Sequence, residues 1–146
     1  MLDNSATGLA VDLTGKIKFG TANAEKALGT GKNDYSVQSD VSKEFGNSSV
    51  YAGVGYKVMG DTDAIDFNNY WYGSLGVEYK IRPGSQIGLT LDLFGASVRG
   101  GPQARDLSLY FTQKFSKTSK LNVYVLKGQA DGSADWGGGL SYTHTF

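Results

Sequence analysis

The last ten residues of the chain, Gly137–Phe146, alternate strictly between two kinds of side chain. One face is aromatic or apolar and consists of Leu140, Tyr142, His144 and Phe146. The residues between them are Gly, Ser and Thr, and this period of two predicts a half-buried β-strand. Chain termini usually fray into water, whereas an aromatic residue ending a final strand is typical of transmembrane β-barrels of the bacterial outer membrane. We expect this strand to seal against the first one, with Gly137–Gly139 at the top of the seam.

The same alternation recurs in seven further segments. All eight predicted strands are Leu9–Phe19, Asp34–Phe45, Ser49–Met59, Tyr70–Ile81, Gln86–Phe94, Asp106–Phe115, Leu121–Lys127 and Gly137–Phe146. Most are close to the length that a tilted strand needs to cross a bilayer. Gly46–Ser48 is a tight-turn signal, and Pro83 followed by Gly84 predicts a type II turn.

The connections between these strands alternate long and short, beginning with a long one. Such alternation, with an even strand number, matches outer-membrane barrels, which have short periplasmic turns and long external loops. The sequence therefore predicts an all-β fold, an eight-stranded antiparallel up-and-down transmembrane β-barrel with both termini periplasmic. It would form one domain over residues 1–146, in which residues 1–8 are a short N-terminal segment.

Composition excludes several classes of function. The 146 residues include 14 basic and 14 acidic side chains, a formal net charge of zero, so the basic surplus of a nucleic-acid-binding protein is absent. No cysteine is present, so a disulfide framework and a thiolate metal site are both impossible. Nothing in the sequence indicates a cofactor, and we expect none.

The two faces of the predicted strands differ in what they carry. Aromatic residues of the apolar face gather near strand ends, as in the two interfacial girdles of a membrane barrel: Phe19, Tyr35, Trp71, Tyr79, Phe115, Tyr142 and Phe146. The other face carries charges of nearly balanced sign: Asp12, Lys16, Lys18, Asp40, Glu44, Lys57, Glu78, Lys80, Asp92 and Lys114. A lipocalin-like barrel shares the strand number but has no reason to sort its aromatics by depth, so the pattern favours the membrane barrel.

If the polar face is internal, an eight-stranded barrel has room only for side chains. Its charges must then be paired. Inward tyrosines would fill the space left by glycines: Tyr51, Tyr70, Tyr72, Tyr110 and Tyr124 for Gly53, Gly55, Gly76 and Gly88. We expect a filled interior and not a water-filled pore.

Catalysis is disfavoured because the single histidine, His144, falls on the apolar face, and a Ser-His-Asp or Cys-His site at the outer rim cannot be assembled. The acidic loop residues are interpreted as solvated, not as catalytic or calcium-binding: Asp61, Asp63, Asp66, Asp131 and Asp135. In a calcium loop starting at Asp61 the twelfth position would need Glu, and Tyr72 stands there. Gly29–Lys32 lacks the spacing of a phosphate loop. We expect neither a catalytic nor a metal site.

Several runs of the sequence resemble a known family. They are Leu13–Thr21, Leu28–Ser36, Gly55–Asp61, Tyr124–Gly128 and Asp135–Gly139. They are similar to proteobacterial outer-membrane proteins labelled as transporters or as members of the phenol-degradation MetA-pathway family. The resemblance implies a β-barrel in the outer membrane and little about chemistry. Members of that family are usually longer, so the chain is expected to be a short relative, a mature form or the carboxyl-terminal part of a larger barrel.

The leading functional hypothesis is a non-enzymatic outer-membrane barrel that acts as a scaffold or binds a protein partner in the membrane or periplasm. Its other expected partners are outer-membrane lipid and, through the carboxyl-terminal strand, the barrel-assembly machinery. A porin-like channel for small solutes is the first alternative, especially within a larger barrel. A soluble lipocalin-like ligand-binding barrel is the second.

Overall fold

The computed structural model of the chain describes residues 2–4, 7–22, 30–60 and 66–145. Its strands are β1 (Leu2–Asn4), β2 (Leu9–Lys18), β3 (Asp34–Phe45), β4 (Ser48–Val58), β5 (Tyr70–Arg82), β6 (Ser85–Phe94), β7 (Ala104–Lys114), β8 (Ser119–Gly128) and β9 (Trp136–His144). The predicted all-β fold is confirmed, and β2 to β9 are the eight predicted strands, with bounds shifted by at most two residues. The three-residue strand β1 was not predicted, because three residues are too few to show a period.

All strands belong to one antiparallel sheet in which neighbours in sequence are neighbours in space. Short turns join β3 to β4, β5 to β6 and β7 to β8, and the long connections lie at the opposite end of the sheet. Gly46 and Gly84 occupy the two-residue turns with φ of 61° and 85°. The value at Gly84 is the one that a type II turn requires after Pro83.

The expected seal between the last strand and the first is not present: the sheet is open. In the described part of the chain, β9 pairs with β8 alone, and no second strand is paired with Gly137–Gly139. On the opposite edge, β1 pairs with Leu9, Ala10 and Val11 of β2. That hairpin occupies the short-turn end of the β2 edge, and from Leu13 to Lys18 no described residue pairs with this edge.

The sheet has no hydrophobic core among the described residues, since no hydrophobic side chain is buried. One face of the sheet, which we name the apolar face, is the exposed one. It carries the odd-numbered residues of β2, β3 and β5 to β8 and the even-numbered residues of β4 and β9. Its mid-strand residues, such as Val54, Leu75 and Leu109, are about half exposed. The opposite face, which we name the polar face, holds Ser, Thr, Tyr, Gly and the charged side chains, mostly half-buried. The described residues include no helix long and apolar enough to cross a membrane.

Candidate functional site

The polar face is where the sheet concentrates its chemically active side chains. Strand periodicity brings all ten predicted interior charges onto it, from Asp12 on β2 to Lys114 on β7. They are distributed over six strands, however, and do not form one cluster. The site is therefore best described through the contacts that join neighbouring strands.

Three tyrosines of this face bridge strands in the same way. Each tyrosine is the register partner of a glycine on the neighbouring strand, and its ring covers that glycine. Its hydroxyl group then forms a hydrogen bond with the glycine's register partner on the third strand. The three bridges are Tyr72 over Gly55 to Gln38, Tyr51 over Gly76 to Thr90, and Tyr110 over Gly88 to Glu78. Tyr72 donates its hydroxyl proton to Gln38 Oε1 at 3.2 Å, and Tyr110 donates to Glu78 Oε2 at 3.0 Å. A glycine is required at each middle position because a Cβ there would overlap the tyrosine ring.

The predicted filling of glycine positions by tyrosines is thus confirmed for Gly55, Gly76 and Gly88 and is wrong for Gly53. The carboxylate of Asp40 lies over Gly53. Gln38 holds that carboxylate in place, because its Nε2 donates to Asp40 Oδ1 and Oδ2 at 2.8 and 3.0 Å.

The other two inward tyrosines have different neighbours. Tyr70 packs edge-on against Tyr72, with ring centroids 6.4 Å apart, and does not cover a predicted glycine. Tyr124 of β8 covers Gly139 of β9, where a Cβ would lie 2.6 Å from Tyr124 Cε1. In the part of the chain that the structure describes, β9 is the last strand of the sheet, so Tyr124 reaches no third strand there.

An ion cluster closes the polar face at the long-loop end of β2, β3 and β4. Asp34, 3% exposed, is its centre. Its Oδ2 lies 2.9 Å from Lys18 Nζ and 3.4 Å from Lys57 Nζ, and its Oδ1 accepts the Gly60 N–H at 3.2 Å. Lys16 lies beside this cluster and lines the same pocket. Among the described residues, two ammonium groups on one carboxylate, with a third nearby, give this cluster a positive excess.

Asp34 was missed by sequence reasoning because it is the first residue of β3. Extending the parity of Ser36 and Gln38 back by one step places it on the polar face, which is the signal that could have found it. Asp106, also missed, lies on the same face by the parity of Ser108 and Tyr110.

The expected pairing of opposite charges is only partly present. Lys80 Nζ lies 3.0 Å from Glu44 Oε1, which is an ion pair of two predicted residues. Asp92 instead lies opposite Asp106, whose buried Oδ1 has no hydrogen-bond partner among the described residues. Both belong to one row of register partners that crosses seven strands: Asp12, Asp40, Gly53, Ser74, Asp92, Asp106 and Gly128. The register thus aligns four acidic residues in a single row.

The six predicted girdle aromatics that lie in the described part of the chain are all exposed, whereas Phe146 lies outside it. They are Phe19, Tyr35, Trp71, Tyr79, Phe115 and Tyr142. Phe45 and Trp136 extend the same set at strand ends and were missed, the second because its segment was interpreted as a loop. Lys127 Nζ lies 4.8 Å from the Trp136 ring centroid, and Lys43 Nζ lies 5.7 Å from that of Phe45.

At the short-turn end of the last hairpin, Ser119 joins the only histidine to Tyr142. Ser119 Oγ lies 2.8 Å from His144 Nδ1 and accepts the Tyr142 hydroxyl at 3.2 Å. The group is exposed. Ser119 was not identified as the neighbour of His144, because its strand was predicted to begin two residues later.

The long connections are tied to one another. Phe67 and Val98 form an isolated β-bridge between two of them, and Arg99 Nε lies 3.0 Å from Asp66 Oδ2. Gly132 N donates to Gln103 O at 3.1 Å, which attaches the last long connection to the same group. Asp66 is therefore part of a loop contact, Asp131 and Asp135 are exposed, and Asp61, Asp63 and Gly29 lie outside the described residues.

No known protein family, curated protein or solved structure matches the chain.

Proposed function

We propose that the chain forms a β-barrel in the outer membrane of a Gram-negative bacterium, with the apolar face against lipid and the polar face inside. The observation that carries the proposal is the inverted distribution of side chains: the described residues bury no hydrophobic side chain, and the apolar face is exposed. Each large apolar side chain left in water forgoes about 1.5–3 kcal/mol of burial energy. An exposed apolar surface that covers a whole sheet marks contact with another apolar medium.

The distribution of charge on the apolar face supports lipid as that medium. Its basic side chains, Lys43, Arg105 and Lys127, each lie within two residues of a strand end. Two of them contact an exposed aromatic ring. Lysine and arginine near the ends of a membrane span extend their charged groups to the interface, where aromatic residues also accumulate. The uncharged band between the strand ends would face the hydrocarbon.

Closure of the sheet follows from the same proposal. The open edges of β2 and β9 expose backbone N–H and C=O groups, and in lipid each unpaired group costs several kcal/mol. A sheet in the bilayer must therefore close. The short turns, and with them the start of β2 and the end of β9, would lie in the periplasm.

For the role of this barrel we propose a non-enzymatic scaffold that presents its joined long loops to a protein partner. The tyrosine bridges and ion pairs of the polar face fill an interior that eight strands would make too narrow for a lumen. The barrel-assembly machinery would receive the carboxyl-terminal strand, and outer-membrane lipid would surround the barrel. None of these roles requires a cofactor.

The proposal is tested by extracting the expressed chain and comparing its gel mobility before and after boiling. A membrane barrel stays in the detergent phase and migrates faster unboiled than boiled, because its closed sheet resists the gel detergent. A chain that partitions into plain buffer and has the same mobility in both states would refute the proposal.

A porin-like channel is the second candidate, and the open sheet favours it, since additional strands between the two edges would widen the interior. The positive cluster around Asp34 would then favour anionic solutes. Ion conductance in planar bilayers separates the two roles: steady unit conductance supports the channel, and its absence supports the filled barrel. A lipocalin-like barrel is disfavoured, because it would turn the apolar face inward and the cross-linked polar face to water.

A further inference from the structure

Tyr124, the fourth polar-face tyrosine that covers a glycine, indicates where a further strand would lie. Tyr51, Tyr72 and Tyr110 each cover a glycine and bond to the residue paired with that glycine on the next strand. Tyr124 covers Gly139 in the same manner, with its hydroxyl oxygen 2.9 Å from the position of a Cβ. Its row ends there, because β9 is the last strand of the sheet. The pattern therefore calls for a polar residue on a strand beyond β9, directly opposite Gly139.

The open edge of β2 is antiparallel to β9 and is long enough to supply the residue opposite Gly139. β2 and β9 run in opposite directions, since seven antiparallel pairings separate them. From Leu13 to Lys18 the β2 edge lies beyond the pairing with β1, and no strand of the described residues pairs with it. Its polar-face residues are Thr14, Lys16 and Lys18.

The register of the other strands predicts which of these residues meets Gly139. The row that starts at Asp12, the fourth residue of β2, reaches Gly128, the last residue of β8. A row of register partners therefore shifts toward the long loops by roughly one residue per strand, which is the stagger that a closed barrel requires. Followed once around eight strands, a row would return to β2 about eight to ten residues further along.

The row of Gly139 can be followed back to Glu44, whose N–H donates to Gly8 O at 2.9 Å. A step of about eight to ten residues from Gly8 arrives at Lys16 or Lys18. Either lysine offers an ammonium group to the Tyr124 hydroxyl oxygen. Lys16 contacts no acidic group among the described residues, so it is available for that bond.

We infer that β9 pairs with the Leu13–Lys18 edge of β2 in the same chain, and that Lys16 or Lys18 donates a hydrogen bond to Tyr124 across Gly139. This inference rests on the proposed membrane barrel and makes its strand number eight. The barrel would then be filled by its own side chains and closed to solutes, which selects the scaffold over the channel.

Disulfide trapping tests the pairing, because the chain has no cysteine of its own. Ser141→Cys is combined with Thr14→Cys for the eight-residue step, and with Lys16→Cys for the ten-residue step. Paired residues of antiparallel strands have Cα atoms about 4.5–5.5 Å apart, within the range that a disulfide spans. The matched control combines Ser141→Cys with Ala10→Cys, on the same face of β2 but at a position that β1 already pairs.

We expect one of the two test pairs to form a disulfide within a single chain on mild oxidation, and the control pair to stay reduced. A disulfide between two chains would overturn the inference in favour of a second copy, and no disulfide in either test pair would overturn it as well. The oxidation is carried out on protein that has passed the heat-mobility and detergent tests. Failure there refutes the barrel itself, whereas failure of the disulfides alone refutes only this seam.

Discussion

Gly88 lies directly beneath the ring of Tyr110, so that a Cβ on the glycine would overlap the tyrosine Cζ. The two residues are register partners on neighbouring strands, and the arrangement recurs at Gly55 and Gly76. Each tyrosine is paired with a glycine, which has no side chain, so the tyrosine ring can lie flat over the neighbouring strand. This sheet therefore packs through tyrosine and glycine where other folds use an aliphatic core.

Substitution of a covered glycine should cost more than substitution of an open one. Gly76→Ala forces the Tyr51 ring off the glycine and away from Thr90. We expect a loss of about 1–3 kcal/mol in the free energy of unfolding, the usual cost of overpacking. The measurement is urea unfolding in detergent micelles, followed by tryptophan fluorescence.

The matched control is Gly15→Ala, because no described atom lies within 4 Å of a Cβ at that position. Its stability should be unchanged or higher by about 0.4–1 kcal/mol, since alanine restricts the unfolded chain. Equal losses in the two variants would mean that the tyrosine cover does not contribute to packing.

Removal of the Tyr110 hydroxyl should destabilise the protein while leaving the ring in place. Tyr110→Phe deletes the 3.0 Å hydrogen bond to Glu78 Oε2, which Gln86 Nε2 also contacts at 2.8 Å. We expect a loss of about 1.5–3 kcal/mol, the range for a bond to a charged acceptor. Tyr79→Phe, on the exposed apolar face, should change stability little.

A double-mutant cycle with Glu78→Gln isolates the bond from other effects of each change. The two losses should be less than additive, because both substitutions alter the same hydrogen bond. Strict additivity would show that Tyr110 and Glu78 contribute independently.

The period-two pattern was sufficient to predict the strands and their order, because each of the eight long strands carries one polar and one apolar face. It also predicted the cover of Gly55, Gly76 and Gly88, since those glycines share a face with tyrosines. It could not predict that Asp40 covers Gly53 or that Asp92 faces Asp106. Those contacts depend on strand register, which is set by turn lengths and by the bulge near Lys80, not by side-chain alternation.

Sequence reasoning also predicted a seal between the first and last strands, and in the described residues these two strands are not paired. Alternation is a property of each strand alone and contains no information on the neighbour at an edge. The strand β1, which pairs with the start of β2, has only three residues and is too short to be recognised by its alternation. The missed Asp34 has a related cause, since strand ends are where a period of two is least defined.

Neutralising Asp34 should destabilise the long-loop end of the polar face. In Asp34→Asn the ammonium groups of Lys18 and Lys57 lose the carboxylate that lies between them. Their side chains are 53% and 30% exposed, so water screens part of the repulsion. We therefore expect a loss of about 1–3 kcal/mol, below that of a fully buried pair. Stability is measured by the same urea titration at low and at high salt, and salt should recover part of the loss.

Asp66→Asn is the control for this experiment. Asp66 and Arg99 form an ion pair of similar length, but their side chains are 58% and 76% exposed. Exposed pairs contribute about 0–1 kcal/mol. A loss at Asp66 as large as that at Asp34 would contradict the central role of the buried carboxylate.

The two tryptophans of the chain, Trp71 and Trp136, should report contact with lipid at a defined depth. They are 65% and 70% exposed on the apolar face, and each lies within two residues of the long-loop end of its strand. Single-tryptophan variants, Trp71→Phe and Trp136→Phe, are reconstituted in vesicles whose lipids carry bromine either near the headgroup or near the chain end. Bromine near the headgroup should quench both tryptophans more, because the aromatic girdle lies at the interface.

A mid-strand reference fixes the depth scale. Leu75→Trp, introduced after both native tryptophans are replaced by Phe, lies on the same face in the middle of β5 and is 54% exposed in the native chain. Bromine near the chain end should quench it more than bromine near the headgroup, the reverse of Trp71. The opposite depth order at these two positions of one strand requires β5 to cross half of the bilayer. If aqueous acrylamide quenched all three tryptophans and brominated lipid quenched none, the apolar face would be in water. That result would contradict a membrane location.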